Sequence, residues 1–229
     1  MALKLIIGNK NYSSWSLRPW IGLTAAGIPF EEEVISLYDE GSKAKILQHS
    51  PAGKVPILID GEVRVWESLA ILEYAAEKFP QAGLWPSDPA ARAHARAIST
   101  EMHAGFAALR NECGMNMWRP PGQRTLSAEA QANIARVQAI WSEARATYGV
   151  GGPFLFGKFT AADAMYAPVV SRFETYAIDV APGVKAYMQA VIALAAWQEW
   201  RNAALREPWV IPTFEYDWPK VKRLAADAA

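Results

Sequence analysis

The first eighty residues switch repeatedly between two hydrophobic periods. Residues 3–8 (LKLIIG) form a short apolar run that predicts a β-strand, and 30–37 (FEEEVISL) predict a second. Between them, apolar side chains fall at Trp15, Leu17, Trp20, Ile21, Leu23 and Ala25, closer to helical than to strand spacing. Gly27 supplies a C-terminal stop for that helix. Residues 42–49 offer one short helix. Residues 55–60 (VPILID) and 62–66 (EVRVW) flank Asp60-Gly61, a strong hairpin signal. Helical spacing returns over 67–79 (ESLAILEYAAEKF), with Leu69, Ile71, Leu72, Ala75 and Phe79 on one inward face. The predicted order is β-α-β-α-β-β-α, a compact mixed sheet with helices.

The pattern changes at 80–89 (PQAGLWPSDP), where three prolines and a glycine suit a linker. Beyond it, 88–117, 127–148, 160–177 and 184–206 are alanine-rich and helical, interrupted by 119–127 (RPPGQRTLS) and 149–154 (GVGGPF). The tail 206–218 carries two prolines and four aromatic residues, and is expected to run extended and anchor through its rings. A small α/β domain over residues 1–81 and an all-α helical domain over 88–229 are therefore expected.

Composition narrows the function classes. The 229 residues are 52% hydrophobic, enough for a large core. Lysine plus arginine total 23 and aspartate plus glutamate total 23, so no basic surface recommends a nucleic acid or an anionic membrane as partner. No segment approaches the roughly 20 apolar residues of a membrane span. "MALKLIIG" is too short an apolar run for a signal peptide. A single cysteine, Cys113, excludes an internal disulfide or a CxxC pair, and is expected to be a buried small hydrophobe. Three scattered histidines leave no good metal cluster, so no metal is expected. These features favour a cytoplasmic protein.

Four local features bear on chemistry. Ser13, Ser14 and Ser16 open the first helix, where a side-chain oxygen caps orphan backbone N–H groups. The same place suits an anion such as a thiolate, because free N–H groups converge at the positive end of the helix. Pro19 either bends this helix or marks its true start. Pro56, in Lys54-Val55-Pro56, either opens a strand in trans or follows a cis bond that presents the Val55 backbone to an extended, peptide-like ligand. Glu67-Ser68, at a strand-to-helix junction, are ordinary capping residues, or a pair that takes an ammonium and a carboxylate. Thr160 and Asp163 have capping-box spacing and are read as a folding element.

Together these segments, over residues 3–205, resemble the cytosolic glutathione transferases. The likeness rests on a conjunction: a serine-bearing first helix (SSWS), KVPIL before a strand, DG in the hairpin, ESLAILEY, a proline-rich linker, and FTAADAMYAP in the helical half. The resemblance implies a thioredoxin-like N-terminal domain with its cis-proline at Pro56. It also implies glutathione as co-substrate, held by Lys54, the Val55 backbone, Glu67 and Ser68. The SSWS start is similar to the serine-type classes (zeta, theta and tau), which makes Ser13 the thiol-activating hydroxyl, with Ser14 its rival and Tyr12 a third choice. Free thiols have a pKa of about 8.5, and lowering it by about two units takes roughly 2.7 kcal/mol, within reach of one hydrogen bond plus a helix dipole.

The implied activity is glutathione transfer to small apolar electrophiles, in a second-substrate pocket formed from Tyr12, Met115, Met117 and Trp118; each of these is, taken alone, better read as core. The implied assembly is a homodimer. Alternatives are a glutathione-dependent isomerase of the maleylacetoacetate type, a peroxidase or disulfide reductase, and a non-catalytic glutathione-binding module. Trp15 stands where zeta and omega members carry a cysteine, which disfavours thiol transfer through the protein. Thr175 falls where zeta members carry an arginine for an acidic substrate, and Arg172 lies one turn earlier, which weakens the isomerase alternative.

Overall fold

The computed structural model describes residues 2–215. Four strands, β1 (Leu3–Ile7), β2 (Phe30–Val34), β3 (Ile57–Asp60) and β4 (Val63–Trp66), form one mixed sheet in the order β2-β1-β3-β4. Strand β1 pairs parallel with β2, Leu5 opposite Glu32, and antiparallel with β3, Leu5 opposite Leu58. The Asp60-Gly61 turn joins β3 to β4 as the hairpin signal requires, with Gly61 at φ +58°.

Helices α1 (Ser14–Ala25), α2 (Ser42–Leu47) and α3 (Ser68–Lys78) flank this sheet. Central strand β1 is covered on both faces, which is why it reads as a continuous apolar run. Leu3, Leu5 and Ile7 belong to the main core with Leu17, Ile21, Ile71 and Leu72. Ile6 belongs instead to a small core with Ile35, Ile46 and Ile57. Helix α1 begins at Ser14 with Pro19 inside it, so the proline does not mark the start. Its missing N–H leaves the Trp15 carbonyl without an intrahelical donor. A Cβ on Gly22 would meet Leu72 Cδ2 at 2.5 Å, so glycine lets α1 approach α3 without displacing the Leu72 side chain.

Among the described residues six helices follow: α4 (Pro89–Ala104), α5 (Ala107–Glu112), α6 (Ala128–Tyr148), α7 (Ala161–Thr175), α8 (Pro182–Ile192) and α9 (Ala195–Arg206). The segment 88–117, expected as one helix, breaks at Gly105-Phe106, where Phe106 takes a left-handed φ of +60°. The segment 184–206 divides at Ala193-Leu194. Helix α7 is the hub: Ala161 to Phe173 are all buried, and it packs on α1, α3, α4 and α8. Asp163 accepts from Thr160 N at 2.8 Å and closes the expected capping box. The mixed-sheet half followed by a helical half is the expected architecture. Among the described residues, no helix is long and apolar enough to cross a membrane.

Residues 207–215 run extended after α9, apart from one 3-10 turn at Pro212–Phe214. It anchors through rings as expected: Phe214 stacks on Tyr12 with centroids 5.7 Å apart. Tyr216 and Trp218, the last two aromatic residues of that expected tail, lie outside the described residues.

Candidate active site

The Val55–Pro56 bond is cis, which decides between the two alternatives open in the sequence. A cleft of about 190 Å³ is lined by Trp15, Ala52, Lys54, Val55, Pro56, Trp66 and Glu67. Three segments far apart in sequence thus converge: the first turn of α1, the loop before β3, and the end of β4. Glu67 adopts φ +69° and precedes the first residue of α3. The cleft carries one ammonium, Lys54, and one carboxylate, Glu67, so its polar groups match a zwitterionic, peptide-like ligand. The first-turn N–H groups of α3 have no intrahelical acceptor and suit a carboxylate.

Ser68 is placed differently from the other expected binding residues. It is fully buried, and its hydroxyl points to Met165 Sδ at 3.9 Å. Its side chain does not line the cleft; its position at the start of α3 is what it can offer a ligand.

The two serines next to Trp15 have distinct surroundings. Ser13 is the N-cap of α1: its Oγ accepts from Ser16 N at 3.4 Å and lies 2.8 Å from Ser16 Oγ. Gly8 N–H in turn donates to Ser16 Oγ at 3.0 Å. Ser14 Oγ accepts instead from Arg172 Nη2, 3.2 Å away on α7. Both serines are buried but keep a little exposure, 7% and 8%.

Two guanidinium groups stack against Trp15, one wall of the cleft. The guanidinium of Arg18 lies 4.2 Å from the Trp15 ring centre, and that of Arg110 5.4 Å from it. Arg18 is buried, donates to the Met165 carbonyl at 3.1 Å, and is pushed down to about 9 by burial and then by Arg172 and Arg110. It therefore stays charged at neutral pH. His103 approaches Glu67 at 3.4 Å, while burial and Arg18 hold its pKa below the ordinary value.

The residues expected to line a second-substrate pocket are packed. Tyr12 and Trp118 form a buried cluster with Leu205 and Ile211, and Met115 lies in the main core. The end of α9 and the segment after it close over Tyr12 and Trp118. Tyr12 Oη donates to Glu215 at 2.8 Å, Trp118 Nε1 to the Ala204 carbonyl at 2.8 Å, and Asn116 Nδ2 to Glu215 at 2.8 Å. Burial and then the Glu215 bond drive the Tyr12 pKa well above its ordinary value, so Tyr12 is poorly placed to activate a thiol. Cys113 is buried as expected, its thiol pushed up to about 11 by burial.

Ala52 lines the cleft without a local signal in the sequence, and Trp66, part of the Trp66-Glu67-Ser68 junction, lines it without having been expected to. The contact between Arg172 and Ser14, which spans 158 positions, carries no local signal either.

Residues 12–78 match the family model for the glutathione S-transferase N-terminal domain, and 64–190 match that for the C-terminal domain. Maleylacetoacetate isomerase of Rattus norvegicus is 32% identical over 196 residues, covering 81% of this chain and 87% of the rat protein. A probable maleylacetoacetate isomerase of Caenorhabditis elegans is 43% identical over 100 residues, 43% of this chain and 46% of the nematode protein. A crystal structure of a Burkholderia glutathione transferase homologue with bound glutathione superposes with a TM-score of 0.67 at 22% identity, covering 89% of this chain and 98% of that one. With both domain models matched, this chain belongs to the glutathione S-transferase family.

Proposed function

We propose that the protein binds glutathione in the cleft beside Trp15 and activates its thiol as a thiolate for attack on a small electrophile. One observation carries this reading: Lys54, Val55, Pro56 and Glu67 share a single cleft whose wall, Trp15, directly follows Ser13-Ser14. Residues 1–81 form the glutathione-binding unit and 88–229 the helical unit. Glu67 takes the ligand's ammonium, the Val55 backbone pairs with its extended middle, and the start of α3 at Ser68 receives its α-carboxylate. One of the two rival hydroxyls at the positive end of α1, Ser13 or Ser14, donates to the sulfur. On activation the S–H bond breaks, the proton leaves to water and the electron pair stays on sulfur. That pair then forms a C–S bond to the electrophile, whose leaving group departs with its own pair.

A second reading is favoured by Arg172. Its guanidinium touches Ser14, so an acidic substrate would find a cation beside the nucleophile. The curated relatives named maleylacetoacetate isomerase point the same way. In that reaction the thiolate adds to a cis double bond conjugated to a carbonyl, rotation follows, and glutathione is expelled unchanged. On either reading the protein is a cytoplasmic homodimer that needs no metal, and sedimentation at micromolar concentration tests the dimer.

Turnover with glutathione of an aryl halide and of a cis-unsaturated diketo acid separates the two. Conjugate from the halide supports the transferase, and a trans product with no loss of glutathione supports the isomerase. Peroxide or disulfide reduction alone would mark the reductase alternative, and binding without turnover the non-catalytic module.

A further inference from the structure

Arg172 belongs to the helical half, yet its side chain reaches the first turn of α1. Nη2 donates to Ser14 Oγ at 3.2 Å, while Nη1 donates to the Arg110 carbonyl at 3.0 Å and to the Cys113 carbonyl, at the C-terminal end of α5. With 5% exposure the planar fork is clamped between two elements. Arg18 of α1 and Arg110 of α5 bring further positive charge to it, and the buried Cys113 thiol lies at the same end of α5. A guanidinium has only donors. It occupies a lone pair of Ser14 Oγ, so that hydroxyl must give its hydrogen to something else. Among the described residues no acceptor is bonded to it. Ser13 differs, because its oxygen is engaged by Ser16 within the cap.

We propose that Arg172 is a positioning residue that acts through Ser14, turning the Ser14 hydroxyl toward the sulfur of bound glutathione and strengthening it as a donor. This rests on the glutathione reading above. Ser14 keeps its own proton throughout; the thiol proton leaves to water, and the Ser14 hydrogen bond holds the resulting thiolate.

The test follows thiolate absorbance against pH for the full chain saturated with glutathione, with S-methylglutathione as the thiol-free blank. Ser14→Ala and Arg172→Met are each expected to raise the pKa of the bound thiol by about one unit, cutting the thiolate at neutral pH roughly threefold, with little change in glutathione Kd. Adding Arg172→Met to Ser14→Ala is expected to shift the titration no further, because both remove one linked unit. Ser14→Thr, which keeps the hydroxyl, restores the wild-type curve. An unmoved titration in Arg172→Met overturns the proposal, as does a further shift in the double variant. Should Arg172→Met fail to fold on losing its α5 carbonyl bonds, Arg172→Lys takes its place, with thermal melts confirming the fold and the same outcomes deciding. A wild-type protein that ignores glutathione sinks both readings. One that binds it as thiolate while every variant titrates alike sinks this inference alone.

Discussion

Ser13 Oγ lies 2.8 Å from Ser16 Oγ, which is itself held by the N–H of Gly8 at the end of β1. The sheet, the cap of α1 and the candidate thiol site are thereby joined through two hydroxyls. Ser13→Ala is expected to cost about 1 kcal/mol of stability through the lost cap, and to lower conjugation while leaving glutathione binding in place. Ser16→Ala strands the buried Gly8 N–H and should cost more, about 1–3 kcal/mol. Urea denaturation of the two variants checks the order. A Ser13→Ala protein with full activity would assign the chemistry to Ser14.

Tyr12 gives a contrasting expectation. Its hydroxyl donates to Glu215 and is flanked by Ile211 N at 3.4 Å. Tyr12→Phe should therefore leave the titration of bound glutathione where it is, while weakening the attachment of the segment after α9. Limited proteolysis near 207–215, compared between the two proteins, reads the second effect. A raised thiol pKa in Tyr12→Phe would restore Tyr12 as a candidate activator.

Asp163 is buried and accepts from Leu155 N, Thr160 N and Thr160 Oγ1 at 3.0, 2.8 and 2.9 Å. Asp163→Ala orphans these donors in the hub helix and should cost on the order of 2–4 kcal/mol. Burial raises its pKa from 3.8 to about 6, against the pull of those hydrogen bonds. Between those values the folded protein binds more protons than the unfolded chain, so this residue's contribution to stability falls as pH rises through that window. Asp163→Asn removes that slope. Stability measured across the window, wild type against Asp163→Asn, shows whether the difference runs in this direction.

Cys113 is fully buried with its thiol pushed up to about 11. Alkylation at neutral pH should thus be slow in the folded protein and become fast only on unfolding. Rapid labelling of the native protein, followed by mass spectrometry, would contradict this burial.

Much of this was legible in the chain. The strand and helix periods of the first eighty residues located every element of the sheet half, because β1 is buried on both faces and α3 has one inward stripe. Lys54, Val55, Pro56 and Glu67 were named from short motifs and line one cleft. What escaped was mostly tertiary. Gly105-Phe106 breaks an alanine-rich run through a left-handed Phe106, a residue with no turn preference. Ala193-Leu194 divides another run without glycine or proline. Glu207 grips the N–H groups of Lys10 and Asn11 across nearly the whole chain, at 2.6 and 2.9 Å. The aromatic residues assigned to a substrate pocket are instead packed under residues 205–214, a covering that composition alone does not reveal.

The central claim is that this cleft holds glutathione as an anion of sulfur. An ultraviolet difference spectrum of the protein with glutathione at neutral pH, blanked with S-methylglutathione, tests it directly. The account predicts a thiolate band that saturates with binding and disappears only well below the pKa of free glutathione. A bound tripeptide with no such band, or no binding at all, would contradict it.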